Sequence, residues 1–187
     1  MSLGNSNYDL SVVYWVSPET LSGSQFYRQW SKDSTAWTNG DAMNFTTNQG
    51  TFSLTTTTPQ SIQKTSSAIT LEADLWYFVA NTYNGTSGEM RLYIYDANSA
   101  SIIFNDISTY DPASFDSPLL LGRPFYVGSW QLDTTTVARN FDGNIDEFSV
   151  WNRVLSVADI NDIRDGAYIV PATSGVSNWW WRRRHNN

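Results

Sequence analysis

Cysteine is absent from the 187-residue chain, and histidine occurs once, at His185. Without thiols there is no cysteine nucleophile, no disulfide framework and no thiolate zinc site. A lone histidine near the end of the chain excludes a multi-histidine metal centre, and it would have to serve any Ser-His-Asp triad by itself. Positive charge is scarce. There are 11 Lys and Arg against 18 Asp and Glu, for a formal charge of −7. A nucleic-acid surface needs clustered basic side chains, so nucleic acid is not expected as a partner. No apolar run approaches the ~20 residues of a membrane span, and the opening MSLGNSNYD carries no basic-then-apolar leader. A membrane partner is therefore not expected either.

The charge is unevenly spread along the chain. Three of the 11 basic residues are Arg182, Arg183 and Arg184, so residues 1–181 hold 8 basic against 18 acidic groups, or −10. Trp179, Trp180 and Trp181 stand directly beside those arginines. Aromatics make up 15% of the chain, with nine Trp in all.

The dominant hydrophobic period is two. Strands are expected at 8–17 (YDLSVVYWVS), stopped by Pro18, at 24–30 (SQFYRQW) and at 51–57 (TFSLTTT). Residues 75–83 (LWYFVANTY) form a nearly continuous apolar run, the pattern of a strand buried on both faces. The turn residues Asn84-Gly85 and Ser87-Gly88 lead into 89–96 (EMRLYIYD), where Met90, Leu92 and Ile94 alternate with Arg91, Tyr93 and Tyr95, so the two runs read as a hairpin. Further strands are expected at 101–104, 118–121, 125–130 and 144–151, with a turn at Asp142-Gly143. One helix is expected after Ser156. Ser156 is its N-cap, Asp159 its third residue and Gly166 its stop, with Val157, Ile160 and Ile163 as the apolar stripe. Many short strands with one late helix predict an all-β, two-sheet antiparallel jelly-roll sandwich.

Four stretches carry a family resemblance. YDLSVVYWVSPET is an alternating strand with a Trp and a Pro-containing turn. LEADLWYFVANTYNG enters on Trp and leaves on a Tyr-x-Gly turn. GEMRLYIYDANS follows it, and NFDGNIDEFSVWNRVLSVADINDI closes the set with Phe-x-Gly-x-Ile-Asp-Glu, Asn-Arg-x-Leu-Ser and a short helix. In this order they resemble the laminin-G-like, concanavalin-A-like lectin/glucanase jelly rolls. The resemblance implies a jelly roll over 1–167 and a C-terminal extension over 168–187. Fewer residues precede the first matching strand than in most family members, and the extension is a candidate for the missing edge strand.

Catalysis in related glycoside hydrolases uses Glu-x-Asp-x-Glu, three acids on one face of a strand. That run is absent here. Glu72-Ala-Asp74 lacks the third acid, and Asp146 and Glu147 are neighbours that regular pleating would send to opposite faces. The chain is therefore expected not to be an enzyme. By resemblance, Asp146 of the Ile-Asp-Glu signature is the candidate ligand of one structural Ca²⁺, with Asp9 and Asp142 as weaker candidates; the alternative is that Asp146 hydrogen-bonds its own loop. Trp15, Trp76 and Trp151 match core positions of the family. Trp37 and Trp130, with Tyr110, Phe125 and Arg123, fall in or beside polar loops, where rings stack on sugars and Arg reaches hydroxyls.

The segment Trp179–Trp180–Trp181–Arg182–Arg183–Arg184 is an edge strand of the same domain or a docking element for an oligomeric assembly; a membrane-interface anchor ranks below both, because six residues anchor weakly. The resulting expectation is a non-catalytic adhesion or binding module for a glycan or a protein surface. Its expected place is extracellular, on a cell surface or on a virion. The alternatives are a structural decoration protein docked through its tail and a degenerate glycoside hydrolase.

Overall fold

The computed structural model describes residues 9–21, 27–33, 40–46, 49–55, 61–67, 69–111, 125–128, 130–131, 137–138, 141–168 and 179–180. The elements run β1 (Leu10–Pro18), β2 (Tyr27–Asp33), β3 (Gly40–Thr46), β4 (Gln49–Thr55), β5 (Ser61–Thr65), β6 (Tyr77–Tyr83), β7 (Glu89–Asp96) and β8 (Ser101–Thr109). They continue with β9 (Phe125–Val127), β10 (Trp130–Gln131), β11 (Val137–Ala138), β12 (Gly143–Trp151), α1 (Val157–Arg164) and β13 (Trp179–Trp180). A six-stranded antiparallel sheet has the order β13-β12-β1-β6-β7-β8. A five-stranded sheet has the order β5-β4-β3-β2-β9, and β10 pairs with β11.

Alternation along the strands builds the core between the two large sheets. Leu10, Val12, Tyr14 and Val16 of β1, Tyr77 and Val79 of β6, and Met90, Leu92 and Ile94 of β7 meet Met43, Phe45, Phe52 and Leu54 of the five-stranded sheet. The opposite parity of the same strands is also apolar. Val13, Phe78, Ala80 and Tyr93 form a second cluster with Trp151, Leu155, Ile160 and Ile163, so α1 lies on the outer face of the six-stranded sheet. This is why β6 reads as a continuous apolar run and is buried at all seven positions.

Eight residues make a helix too short to stand alone. Here Ser156 caps it reciprocally with Asp159, and Tyr93 Oη donates to Asn161 Oδ1 at 2.8 Å. Gly166, at φ +70°, turns the chain off the helix as its position predicts.

Strand boundaries differ from expectation in three places. β3 and β5 are strands that the polar sequence conceals, since Thr, Ser, Gln and Asn fill them. β8 extends to Thr109, well beyond the four residues expected, because the polar Asn105, Asp106 and Ser108 around Ile107 hide the strand signal. The run at 118–121 lies outside the described residues. β13 pairs with the edge of β12, Trp179 opposite Val150 and Trp180 opposite Ser149.

Candidate functional site

The outer face of the six-stranded sheet carries a straight row of side chains. Asp146 of β12 is opposite Trp15 of β1, Trp15 is opposite Phe78 of β6, Phe78 is opposite Tyr95 of β7, and Tyr95 is opposite Ile102 of β8. Directly opposed residues share a face, so the row stands on the side that α1 also occupies. The rings interlock edge to face. Trp15 lies 5.2 Å from Phe78 at 64° and 6.4 Å from Tyr95 at 83°. α1 stops short of the row, and its last residue, Arg164, sets its guanidinium 4.3 Å over the Tyr95 ring. Phe78 is thereby buried, Trp15 and Tyr95 are half-buried, and Ile102 is exposed.

Trp76 extends the row. It precedes Phe78 by two residues, which places it on the same side of the extended chain. Its carbonyl accepts from Ala97 N at 3.0 Å, and its side chain is 39% exposed. The expectation that Trp76 is a core ring is corrected here. The apolar run begins at Leu75, two positions before the buried stretch opens at Tyr77, because Trp76 follows the polar Glu72–Asp74 turn and stands where β6 emerges from cover. Trp151, by contrast, is buried under α1. The signal that distinguishes them was position: strand entry for one, strand exit into a helix for the other.

Asp146 owes its place in the row to a β-bulge. Val13 is opposite Ser149 but Trp15 is opposite Asp146, so Tyr14 faces two residues, Glu147 and Phe148. Glu147 takes a positive φ of 49°, and Tyr14 stacks on Phe148 at 5.3 Å. The simple alternation expected of Asp146 and Glu147 therefore does not apply. Asp146 Oδ1 accepts from Glu147 N at 2.8 Å, while Oδ2 accepts no hydrogen bond from the described residues.

Gly143 fixes the start of this strand. It has φ +144°, and a Cβ there would stand 2.2 Å from the Ser17 carbonyl, so only glycine lets β12 approach β1 beside the row.

The Tyr77 hydroxyl, next to Trp76 in the chain, is held above its ordinary pKa by burial. The Glu72 backbone N–H bonded to it works the other way, and the charges of Asp96 and Glu72 raise it further.

The other expected site residues are dispersed. Tyr110 is a fastening rather than a free loop ring: its hydroxyl donates to the Gln63 carbonyl and its ring packs on the inter-sheet core. Trp130 opens β10 opposite Ala138, and Phe125 opens β9 opposite Lys32. Trp179 and Trp180 form β13 along the sheet edge. Trp37, Arg123, Trp181, Arg182, Arg183 and Arg184 lie outside the described residues.

A calcium ion takes six to eight oxygens. Asp9 is engaged by Gly85 N, Asp142 by Thr20 Oγ1, and Asp146 brings one carboxylate. Among the described residues no three His, Cys, Asp or Glu side chains group to hold a metal, so a calcium ion at Asp146 would take most of its oxygens from backbone carbonyls and water. Among the described residues, too, no strand acid is paired across a ladder with another acid. Asp96, Asp106 and Glu89 stand opposite Ser101, Leu92 and Thr109.

A family model described as the concanavalin A-like lectin/glucanases superfamily, of laminin G type, matches residues 2–161. The chain belongs to that superfamily. Its jelly roll is also found in solved structures of low identity. The heptameric SAP-like pentraxin of Limulus polyphemus is 14% identical, with a TM-score of 0.61 over 94% of this chain and 80% of that one. The Ruminococcus gnavus IT-sialidase CBM40 bound to α2,3-sialyllactose is 15% identical, with a TM-score of 0.65 over 84% and 82%. The enzymatically active domain of the bacteriophage CBA120 tailspike protein 2 is 14% identical, with a TM-score of 0.58 over 83% of this chain and 23% of that one. No curated protein sequence matches the chain. At these identities the likeness is one of fold, and a jelly roll hosts many roles.

Proposed function

We propose that this lectin-like jelly roll is a glycan-binding module without catalytic activity. The observation that carries the reading is the uncovered part of the outer-face row, where the Trp76 indole is exposed at the end of an aromatic strip that also carries the Asp146 carboxylate. Rings of this kind stack on the apolar faces of pyranoses, and a carboxylate oxygen accepts from sugar hydroxyls. The carbohydrate-binding module among the fold relatives supports the reading. Binding modules of this kind work on cell surfaces, secreted assemblies or virions, which is where the chain is placed by this reading.

A glycan array tests it. Saturable binding to at least one glycan, with the oligosaccharide recovered intact after prolonged incubation, is expected. Binding to none would overturn the binding reading. Cleaved product would overturn the non-catalytic part alone.

A further inference from the structure

Resting on the glycan-binding reading, we infer that the outer-face strip takes an uncharged glycan and refuses anionic sugars. Three observations converge on this. The exposed area is small: a Trp at 39% exposure offers on the order of 100 Å², and the half-buried Trp15 and Tyr95 add part of their edges. A stable dimer needs about 800 Å² from each partner, so a second copy of this chain is a poor occupant, whereas one or two pyranose rings match the strip.

The charged group that borders the rings is an acceptor. Asp146 stands on the Trp15 side of the sheet with Oδ2 accepting nothing from the described residues. Asn144, which can both donate and accept, lies one strand repeat further along the same face, opposite Ser17. The carboxylate suits the hydroxyl donors of a neutral sugar and repels a carboxylate or sulfate.

Among the described residues, the cations near the strip are engaged. Arg164, the one cation among them that reaches the strip, stacks on Tyr95. Its Nε and Nη2 donate to Asp165, and its Nη1 donates to Tyr93 Oη and Asn161 Oδ1. Arg91 is four residues from Tyr95 along β7, about 13 Å away, and its Nη1 donates to Asn105. The net charge of −7 adds a negative field over the molecule. The occupant is therefore selected by stacking plus hydroxyl donation. The α2,3-sialyllactose held by the structurally similar carbohydrate-binding module is the wrong class for this strip.

The test is isothermal titration of the whole chain with neutral lactose, cellopentaose and maltopentaose, and with α2,3-sialyllactose and hyaluronan, at 20 mM and at 1 M salt. At least one neutral probe is expected to bind. Both anionic probes should bind ten-fold or more weakly at 20 mM, and the gap should narrow at 1 M as screening shortens the field. Trp76→Ala should lose binding at least ten-fold with an unchanged melting point, and Asp146→Asn should weaken the neutral probe while reducing the penalty on sialyllactose. If an anionic probe binds as well as or better than every neutral one, the charge inference falls while the lectin reading stands. If no probe of either class binds, the inference falls, and a blank glycan array removes the lectin reading with it. Unchanged binding by Trp76→Ala removes the strip as the site. Concentration-dependent dimers that Trp76→Ala abolishes would give the strip to a second copy and overturn the proposal.

Discussion

The outer face of the six-stranded sheet is divided by the end of one short helix. On one side, Val13, Ala80, Tyr93 and Trp151 are sealed beneath α1. On the other, Trp15, Tyr95 and Trp76 continue the same strands with the same parity and stay partly open. Residue type does not separate the halves, because Trp and Tyr occur in both. What separates them is eight residues of cover and the place where Gly166 ends it. An aromatic ring in this fold becomes core or contact surface according to how far α1 reaches.

The sharpest way to break that contrast is to truncate one ring from each half. Tyr93→Ala removes a fully buried ring whose hydroxyl donates to Asn161 and accepts from Arg164. It is expected to cost about 3–5 kcal/mol, read from the urea midpoint. Trp76→Ala should cost no more than about 1 kcal/mol. Equal costs would mean that the exposed ring is core after all.

Next in size is Gly143→Ala, which forces a Cβ against the Ser17 carbonyl and strains a positive φ. A loss of about 2–3 kcal/mol is expected, seen as a melting point lower by roughly 5–10 °C. It should also weaken glycan binding by disturbing the start of β12, whereas Tyr93→Ala variants that remain folded should bind normally.

A smaller effect belongs to the helix cap. Ser156→Ala removes the hydroxyl that accepts from Asp159 N and should cost about 1 kcal/mol, measured by thermal unfolding. Its added consequence is fraying on the sealed half only.

The smallest effect is that of acid. Burial pushes the Asp159 carboxyl up, but hydrogen bonds from Arg153 and Ser156 outweigh this and hold it below its ordinary range. Asp165 is held down by its bond from Arg164. A depressed folded pKa gives stability that is present above the unfolded value of about 3.9 and is lost as pH falls through the folded one. Melting points should therefore stay level from pH 7 to 5 and drop below about 4. Asp159→Asn should flatten that drop, and a drop already present at pH 6 would contradict the assignment.

Much of this was legible in the residues. The β6–β7 hairpin, the Ser156 capping box and the two-sheet class follow from period, turn chemistry and the closing Ile-Asp-Glu-Phe segment. The polar strands β3 and β5 were not legible. They sit in the five-stranded sheet, where Met43, Phe45 and Phe52 supply the core and the intervening Thr and Asn carry no strand signal of their own. The Trp76 site was hidden for the opposite reason. A continuous apolar run does not say where cover begins, and only the length of α1, set by the capping box and Gly166, decides it. Tyr110 read as a loop ring because its partner, the Gln63 carbonyl, is 47 residues away.

One fastening joins the rims of the two sheets. Lys64 of β5 is 7% exposed and spans the gap to β8, donating to Asp106 Oδ2 at 2.6 Å, to the Ile107 carbonyl and to Ser108 Oγ. Removing any of these acceptors would leave a largely buried ammonium short of partners at the seam between the sheets. The lysine thus works as a clasp, holding the rim of one sheet to the rim of the other without any backbone pairing between them.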